Sequence, residues 1–332
     1  MRDLMAYVCA QGRRLVYPIG AGALGQAWWE EHRAVLSWEE CAAQSMAWQC
    51  HTLGYDLNNI TIPTLDMLEG LGISTDTLWD GSRYIPSGQL STLEKAEAFF
   101  ARAPREPEVL LRHLAALRRG KELCTKPIAL GTFGPLTLAG YLMGAEELLV
   151  GMVEQPELVH RVLAGITEIL VDWHRAGAEA GGDFLWVAEP MAVLISPQHF
   201  RTFVLPCLRA LFTPEAPAGF LHIPGDTTYL LNDLVATGAQ CLSLDAPVGM
   251  TRALATVPEH VVLLGDIDAF LLLEGTRAEV ERAVEQLHRD IAGAPNVIIS
   301  SGGGINAQTP YENIAALFAS PCGAKEGEKC SP

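Results

Sequence analysis

The 332-residue sequence is short of basic side chains: 23 Lys and Arg stand against 39 Asp and Glu, a net charge of −16 with histidine neutral. Without a basic stripe nucleic acid is excluded as a partner, because phosphate binding needs clustered cations to displace counterions. No window reaches the roughly 18 uninterrupted apolar residues of a membrane span. The first residues, Met1-Arg2-Asp3-Leu4-Met5, lack the basic stretch, apolar run and cleavage site of a signal peptide, so a cytoplasmic location is expected. The 8 cysteines form no CxxC or CxC pair and read as buried thiols of a cytosolic chain. There is no HExxH pair, no internal repeat and no low-complexity tract, and the Gly302-Gly303-Gly304 run lacks the GxGxxG or Walker spacing of a phosphate cradle.

What remains is a chain that buries a core, 49% hydrophobic with ordinary charge density. Short apolar runs recur, each ending in Gly, Pro, Asp or Asn before a longer helical pattern begins, which is the rhythm of βα units. Candidate strands fall at 15–21, 57–62, 128–132, 184–188, 219–223, 241–244, 261–264 and 297–300. A closed α/β TIM barrel needs eight such strands and roughly 250 residues, which leaves room for N-terminal helical additions. Helices are expected at 38–53 behind Ser37-x-x-Glu40, at 157–181 behind Pro156, and at 279–291 behind Thr276-x-x-Glu279. An insertion at about 64–125 is longer than connectivity requires and contains helical stretches at 92–103 and 106–119. The barrel domain is expected over 1–320, with a flexible polar tail at 321–332.

Chemistry in a β/α barrel gathers at the carboxyl ends of the strands. Those ends carry Asn58, Phe133, Glu189, His222, Asp245, Asp266 and the Gly302-Gly303-Gly304 run. His222 and Glu189 are the candidate catalytic pair, a titratable ring and a carboxylate at the edges of apolar runs. Asn58, Phe133, Trp186, Tyr229, Asp245 and Gly303 are candidates for substrate binding, with the aromatics placed to sandwich a ring. Plainer roles stand beside these: Asp245 and Asp266 suit helix caps, and His222 could orient a loop.

In order along the chain, Gly131-Thr132-Phe133-Gly134-Pro135-Leu136-Thr137, Leu194-Ile195-Ser196-Pro197-Gln198-His199-Phe200-Arg201, His222-Ile223-Pro224-Gly225-Asp226, Gly265-Asp266-Ile267-Asp268 and Thr309-Pro310-Tyr311-Glu312-Asn313 resemble the uroporphyrinogen decarboxylase superfamily. The resemblance implies its β/α barrel. The decarboxylase branch has an Arg-Gln-Ala-Gly-Arg motif that this sequence lacks, which disfavours tetrapyrrole decarboxylation. The other branch is similar to cobamide-dependent methyltransferases, which exchange a methyl group with a separate corrinoid protein. Their zinc is held by a His-x-Cys pair and a later Cys. Here the histidine is His222, while the two cysteine positions carry Pro224 and Gly303.

The resemblance therefore implies an enzyme that takes a methyl group from a small methylated substrate, methoxylated aromatics favoured, and delivers it to the cobalt of a corrinoid (cobalamin) protein. Zn2+ is an implied cofactor whose ligands would have to be redrawn around His222 and Glu189, with Asp226, Asp245, Asp266 or Asn58. Three alternatives stay open: transfer from methylcobamide to a thiol or pterin, a decarboxylase-like lyase, and a binding protein without turnover.

Overall fold

The computed structural model describes residues 1–318, so the tail expected at 321–332 lies outside the described residues. Seven parallel strands form one sheet: β1 (Asn58–Thr61), β4 (Ile128–Phe133), β5 (Phe184–Ala188), β6 (Ala218–Ile223), β7 (Cys241–Leu244), β8 (Val262–Ile267) and β9 (Val297–Ser301). A separate antiparallel pair, β2 (Asp76–Thr77) and β3 (Arg83–Tyr84), lies between β1 and β4 in sequence. In the large sheet each strand pairs with the next in chain order, and helices fill the connections. Nearly every strand residue from β4 to β9 is buried, the pattern of a sheet covered on both faces.

The first expected strand, 15–21, is cut to a short bridging segment. Val16 bridges Ile299 of β9, the Tyr17 amide donates to the Ile299 carbonyl (2.9 Å), and the Asp56 amide donates to the Val16 carbonyl (3.1 Å). Residues 15–17 thus join the free edge of β9 to the entry of β1 and close the ring. The ladder stops because Pro18 has no N–H to continue it. At the other extreme, β8 runs three residues past the apolar stretch 261–264 that marks it in the sequence, through Gly265, Asp266 and Ile267.

The seam is held at its foot by Asp56, which is 1% exposed. Its carboxylate accepts from the Val16 amide (2.9 Å), from Lys126 Nζ (2.9 Å) and from both terminal nitrogens of Arg13. Burial alone would push this carboxyl up, but the hydrogen bonds from Arg13, Lys126 and the Val16 amide hold it below the usual range.

The helices start where their caps direct. Ser37 opens Trp38–Thr52 by accepting from the Glu40 amide, and Thr276 with Glu279 forms a reciprocal capping box that opens Arg277–Asp290. The long helix Pro156–Glu179 begins at Pro156 and lays Val162, Ile166, Ile169, Leu170 and Trp173 into the core. The expected insertion resolves into a helix (Thr64–Gly70), the β2–β3 hairpin, a second helix (Leu93–Phe100) and Glu108–Leu123, which Pro107 starts later than the expected 106. No single helix is long and apolar enough to cross a membrane among the described residues.

Replacing Asp56 with Ala leaves the Val16 amide without its acceptor and two cations without their partner. The expected loss is about 3 kcal/mol in denaturant unfolding. Because the folded carboxyl titrates below its unfolded value, this contribution is present above about pH 4 and is lost as the pH falls through the folded value. An unchanged unfolding midpoint in Asp56→Ala at pH 7 would show that the ring closes without it.

Candidate active site

Strand alternation decides which side chains enter the lumen. Thr132 of β4 turns outward, its hydroxyl 2.8 Å from Nε2 of His174 on the helix Pro156–Glu179. Phe133 therefore turns inward, half-buried at the top of the strand. On β5, Trp186 packs edge-on against Tyr17, with ring centroids 5.7 Å apart and planes at 87°. Segment 15–17 and β5 are not neighbours in the sheet, so that contact spans the lumen. Trp186 also stacks on His222 of β6, with centroids 5.8 Å apart at 24°.

His222 is 7% exposed, and its Nδ1 lies 3.0 Å from the Ser243 hydroxyl on β7. Burial lowers its pKa to about 4, against the opposing pull of the Asp245 carboxylate. The imidazole is therefore neutral at pH 7, able to exchange a hydrogen bond but carrying no charge. Tyr17, 2% exposed, is likewise kept neutral, because burial raises its phenol well above the ordinary value. The lumen wall is thus aromatic and uncharged from Tyr17 through Trp186 to His222.

Glu189 stands apart from that wall. It is fully buried, and one carboxylate oxygen accepts from the Leu136 amide (2.9 Å) while the other accepts from the Thr137 amide (2.6 Å) and the Thr137 hydroxyl. These amides open the helix Pro135–Met143, where a negative charge is favoured by the backbone dipoles. The approach is so close that a Cβ on Gly134 would fall 2.2 Å from Glu189 Oε2. Burial raises the carboxyl to about 7, opposed by the three hydrogen bonds. The structure places Glu189 against this helix, on the outward parity of β5, and His222 in the lumen.

Other expected site residues separate in the same way. Asn58 is a correction: it opens β1 instead of ending it, and its amide nitrogen donates outward to the Met46 carbonyl and to Gln49 on the helix Trp38–Thr52. Tyr229 is a rim residue, 45% exposed, whose hydroxyl donates to the Val193 carbonyl. Asp245 ties the rim together by accepting from the amides of Gly225 (2.9 Å) and Ala246 (2.8 Å), and Asp266 accepts from the Met250 amide at the start of a helix (2.7 Å). Gly302 is pressed against this rim, since a Cβ there would come 2.7 Å from Asp245 Oδ1. Gly303 is buried, yet a Cβ on it would meet no atom within 4 Å, so its backbone borders open space.

The expected metal site does not assemble. No three His, Cys, Asp or Glu side chains among the described residues come together to hold a metal ion. Pro224 and Gly303 offer no ligand, Glu189 is taken up by the helix terminus, and Asn58 faces the outer wall. The residues present do not fit a zinc centre built on His222 and Glu189. Two lumen residues, Tyr17 and Ser243, escape notice in the sequence because each sits inside an apolar run. Tyr17 carries one usable signal, its place just before a proline at a strand end.

Two measurements follow from the wall and the helix terminus. In proton NMR the His222 ring should titrate near pH 4 and stay neutral above about pH 5; a midpoint near 6.5 would mean that the lumen is wet. The folded carboxyl of Glu189 titrates above its unfolded value, so its contribution is present below about pH 4.5 and is lost as pH rises through about 7. Glu189→Gln, with one acceptor oxygen in place of two, should cost about 1–3 kcal/mol and remove that slope between pH 5 and 8. A variant as stable as the parent would sink the structural assignment.

Comparison with known proteins adds the lineage. The uroporphyrinogen decarboxylase (URO-D) family profile matches residues 37–320. The uroporphyrinogen decarboxylase of Parasynechococcus marenigrum is 28% identical over 269 residues, covering 77% of this chain and 75% of that protein. The methylcobamide:CoM methyltransferase MtaA of Methanosarcina barkeri is 31% identical over 201 residues, 58% of this chain and 57% of that protein. A solved methyltransferase from Methanosarcina mazei shares the fold at a TM-score of 0.76 over 95% of this chain and 96% of that one, at 22% identity. Since the profile spans most of the barrel, from the helix that precedes β1 to the end of the described residues, this chain belongs to the uroporphyrinogen decarboxylase family.

Proposed function

We propose that this chain is a methyltransferase that takes a methyl group from a small methylated donor, a methoxylated aromatic by preference, and passes it to a corrinoid carried by a separate protein. The observation that carries this reading is the lumen itself: an uncharged wall of Tyr17, Trp186 and His222, with Phe133 above and open space beside Gly303. Aromatic walls of this kind hold a ring by offset and edge contacts.

The decarboxylase reading calls for cations to grip several substrate carboxylates. The segments after β4 (134–155), β6 (224–240) and β9 (302–318) contain no Lys or Arg. Arg83 of the hairpin is already paired with Asp66 and Glu69, and Arg201 with Asp233. Arg252 lies beside Thr228 and Asp226 at the rim, so a polycarboxylate at this mouth would meet few unpaired cations in return for its lost hydration.

In the proposed reaction the methyl carbon–oxygen bond breaks as the cobalt nucleophile attacks the methyl carbon, and the electron pair stays on the departing phenolate oxygen. That oxygen leaves more readily when it accepts a hydrogen bond or a proton. His222 is the lumen residue suited to this, with Nδ1 fixed by Ser243 so that Nε2 is the nitrogen left for substrate. No step is assigned to zinc, and Glu189 acts on the reaction only by fixing the helix that follows β4.

The decisive experiment mixes the purified chain with a reduced Co(I) corrinoid protein and a panel of methoxylated aromatics, following cobalt by absorbance. The expected outcome is donor-dependent loss of the Co(I) signal, slowed at least about 100-fold by His222→Ala. Silence with every donor, together with methyl transfer from methylcobalamin to a thiol or pterin, would reverse the direction. Carbon dioxide release from a tetrapyrrole carboxylate would replace the reading with decarboxylation.

A further inference from the structure

The Tyr17 hydroxyl and the Trp186 indole N–H are polar groups on residues 2% and 3% exposed, and neither has a hydrogen-bond partner among the described residues. Neither atom is fully occluded, in contrast to orphaned atoms such as Thr227 Oγ1 and His174 Nδ1. Both rings meet edge to face at 5.7 Å, so the two groups lie in one part of the barrel interior. A buried donor normally finds an acceptor, because leaving it bare costs as much as losing a hydrogen bond. These two are free to serve a ligand.

The surroundings say which ligand. The groups that influence the Tyr17 phenol are Cys50, Tyr55 and Cys241, all uncharged. The charge felt by His222, further along the wall, is the carboxylate of Asp245. An anion placed here would lack a cationic partner and face a carboxylate, whereas a neutral ring with one accepting oxygen would satisfy a donor and bury its faces. The backbone of Tyr17 is fixed as well: its carbonyl accepts from the Ser300 hydroxyl (2.6 Å) and its amide donates to Ile299.

We propose that Tyr17 is a specificity-determining residue: its hydroxyl, with the Trp186 indole N–H beside it, takes the oxygen of an uncharged aromatic ether or phenol and selects such rings over carboxylated ones. This rests on the reading of the lumen as a ring-binding site, but it concerns binding and can be tested without a corrinoid. Tyr17→Phe removes the hydroxyl and keeps the ring against Trp186, and Trp186→Phe serves as the second variant if the first does not fold.

The full chain is titrated calorimetrically with methoxybenzene, with ethylbenzene as the isostere lacking the oxygen, and with 4-methoxybenzoate. The parent should bind methoxybenzene about fivefold tighter than ethylbenzene, the worth of one hydrogen bond, and at least about tenfold tighter than 4-methoxybenzoate. Tyr17→Phe should erase the preference for methoxybenzene over ethylbenzene while ethylbenzene affinity and the melting temperature stay put. Three outcomes overturn the assignment: a preference that survives in Tyr17→Phe, equal binding of 4-methoxybenzoate, or no binding of any ring. The expected binding pattern with a silent corrinoid assay sinks the methyl-transfer reading and leaves this one standing. Methyl transfer at unaltered KM in Tyr17→Phe does the opposite.

Discussion

The ring of strands closes on a single buried carboxylate. Asp56 gathers the Val16 amide, Lys126 and Arg13, which come from two separate stretches of chain, around one side chain that water barely reaches. A charge in that position is tolerated only because it is surrounded by donors, and the donors are brought together only because the charge is there. With that foot fixed, residues 15–17 lie between β9 and β1, and the Tyr17 ring is carried to the far side of the lumen to meet Trp186. The aromatic wall is a consequence of the seam.

Charge is distributed unevenly along the barrel axis. The cations Arg13, Lys121 and Lys126 sit at the amino ends of the strands, where they pair with Asp56 and Asp183. The segments leaving the carboxyl ends of β4, β6 and β9 carry none. Those three segments carry acidic side chains, Glu146, Asp226 and Glu312 among them, with no cation of their own.

Much of the fold was legible because apolar runs bounded by Gly, Pro and Asp mark strands wherever both faces are buried. The site was legible only in part, for a definite reason. A polar residue at the edge of an apolar run declares that it lies near a strand end, but the face it takes depends on a parity of one residue. His222 and Trp186 fell on the inner face. Glu189 took the outer one, and there found the amides of Leu136 and Thr137, a helix terminus fifty residues away in sequence that no local pattern points to. Asn58 failed differently, because a polar residue that begins a strand looks the same in sequence as one that ends it.

The sealing residue and the proposed selecting residue are consecutive: Val16 joins the ring to Asp56, and Tyr17 faces the cavity. A segment three residues long, hydrogen-bonded on both sides and stopped by Pro18, has no slack for an insertion or deletion. Divergence of this lineage toward new ligands is thereby channelled: position 17 can exchange its side chain but cannot shift its backbone without opening the barrel.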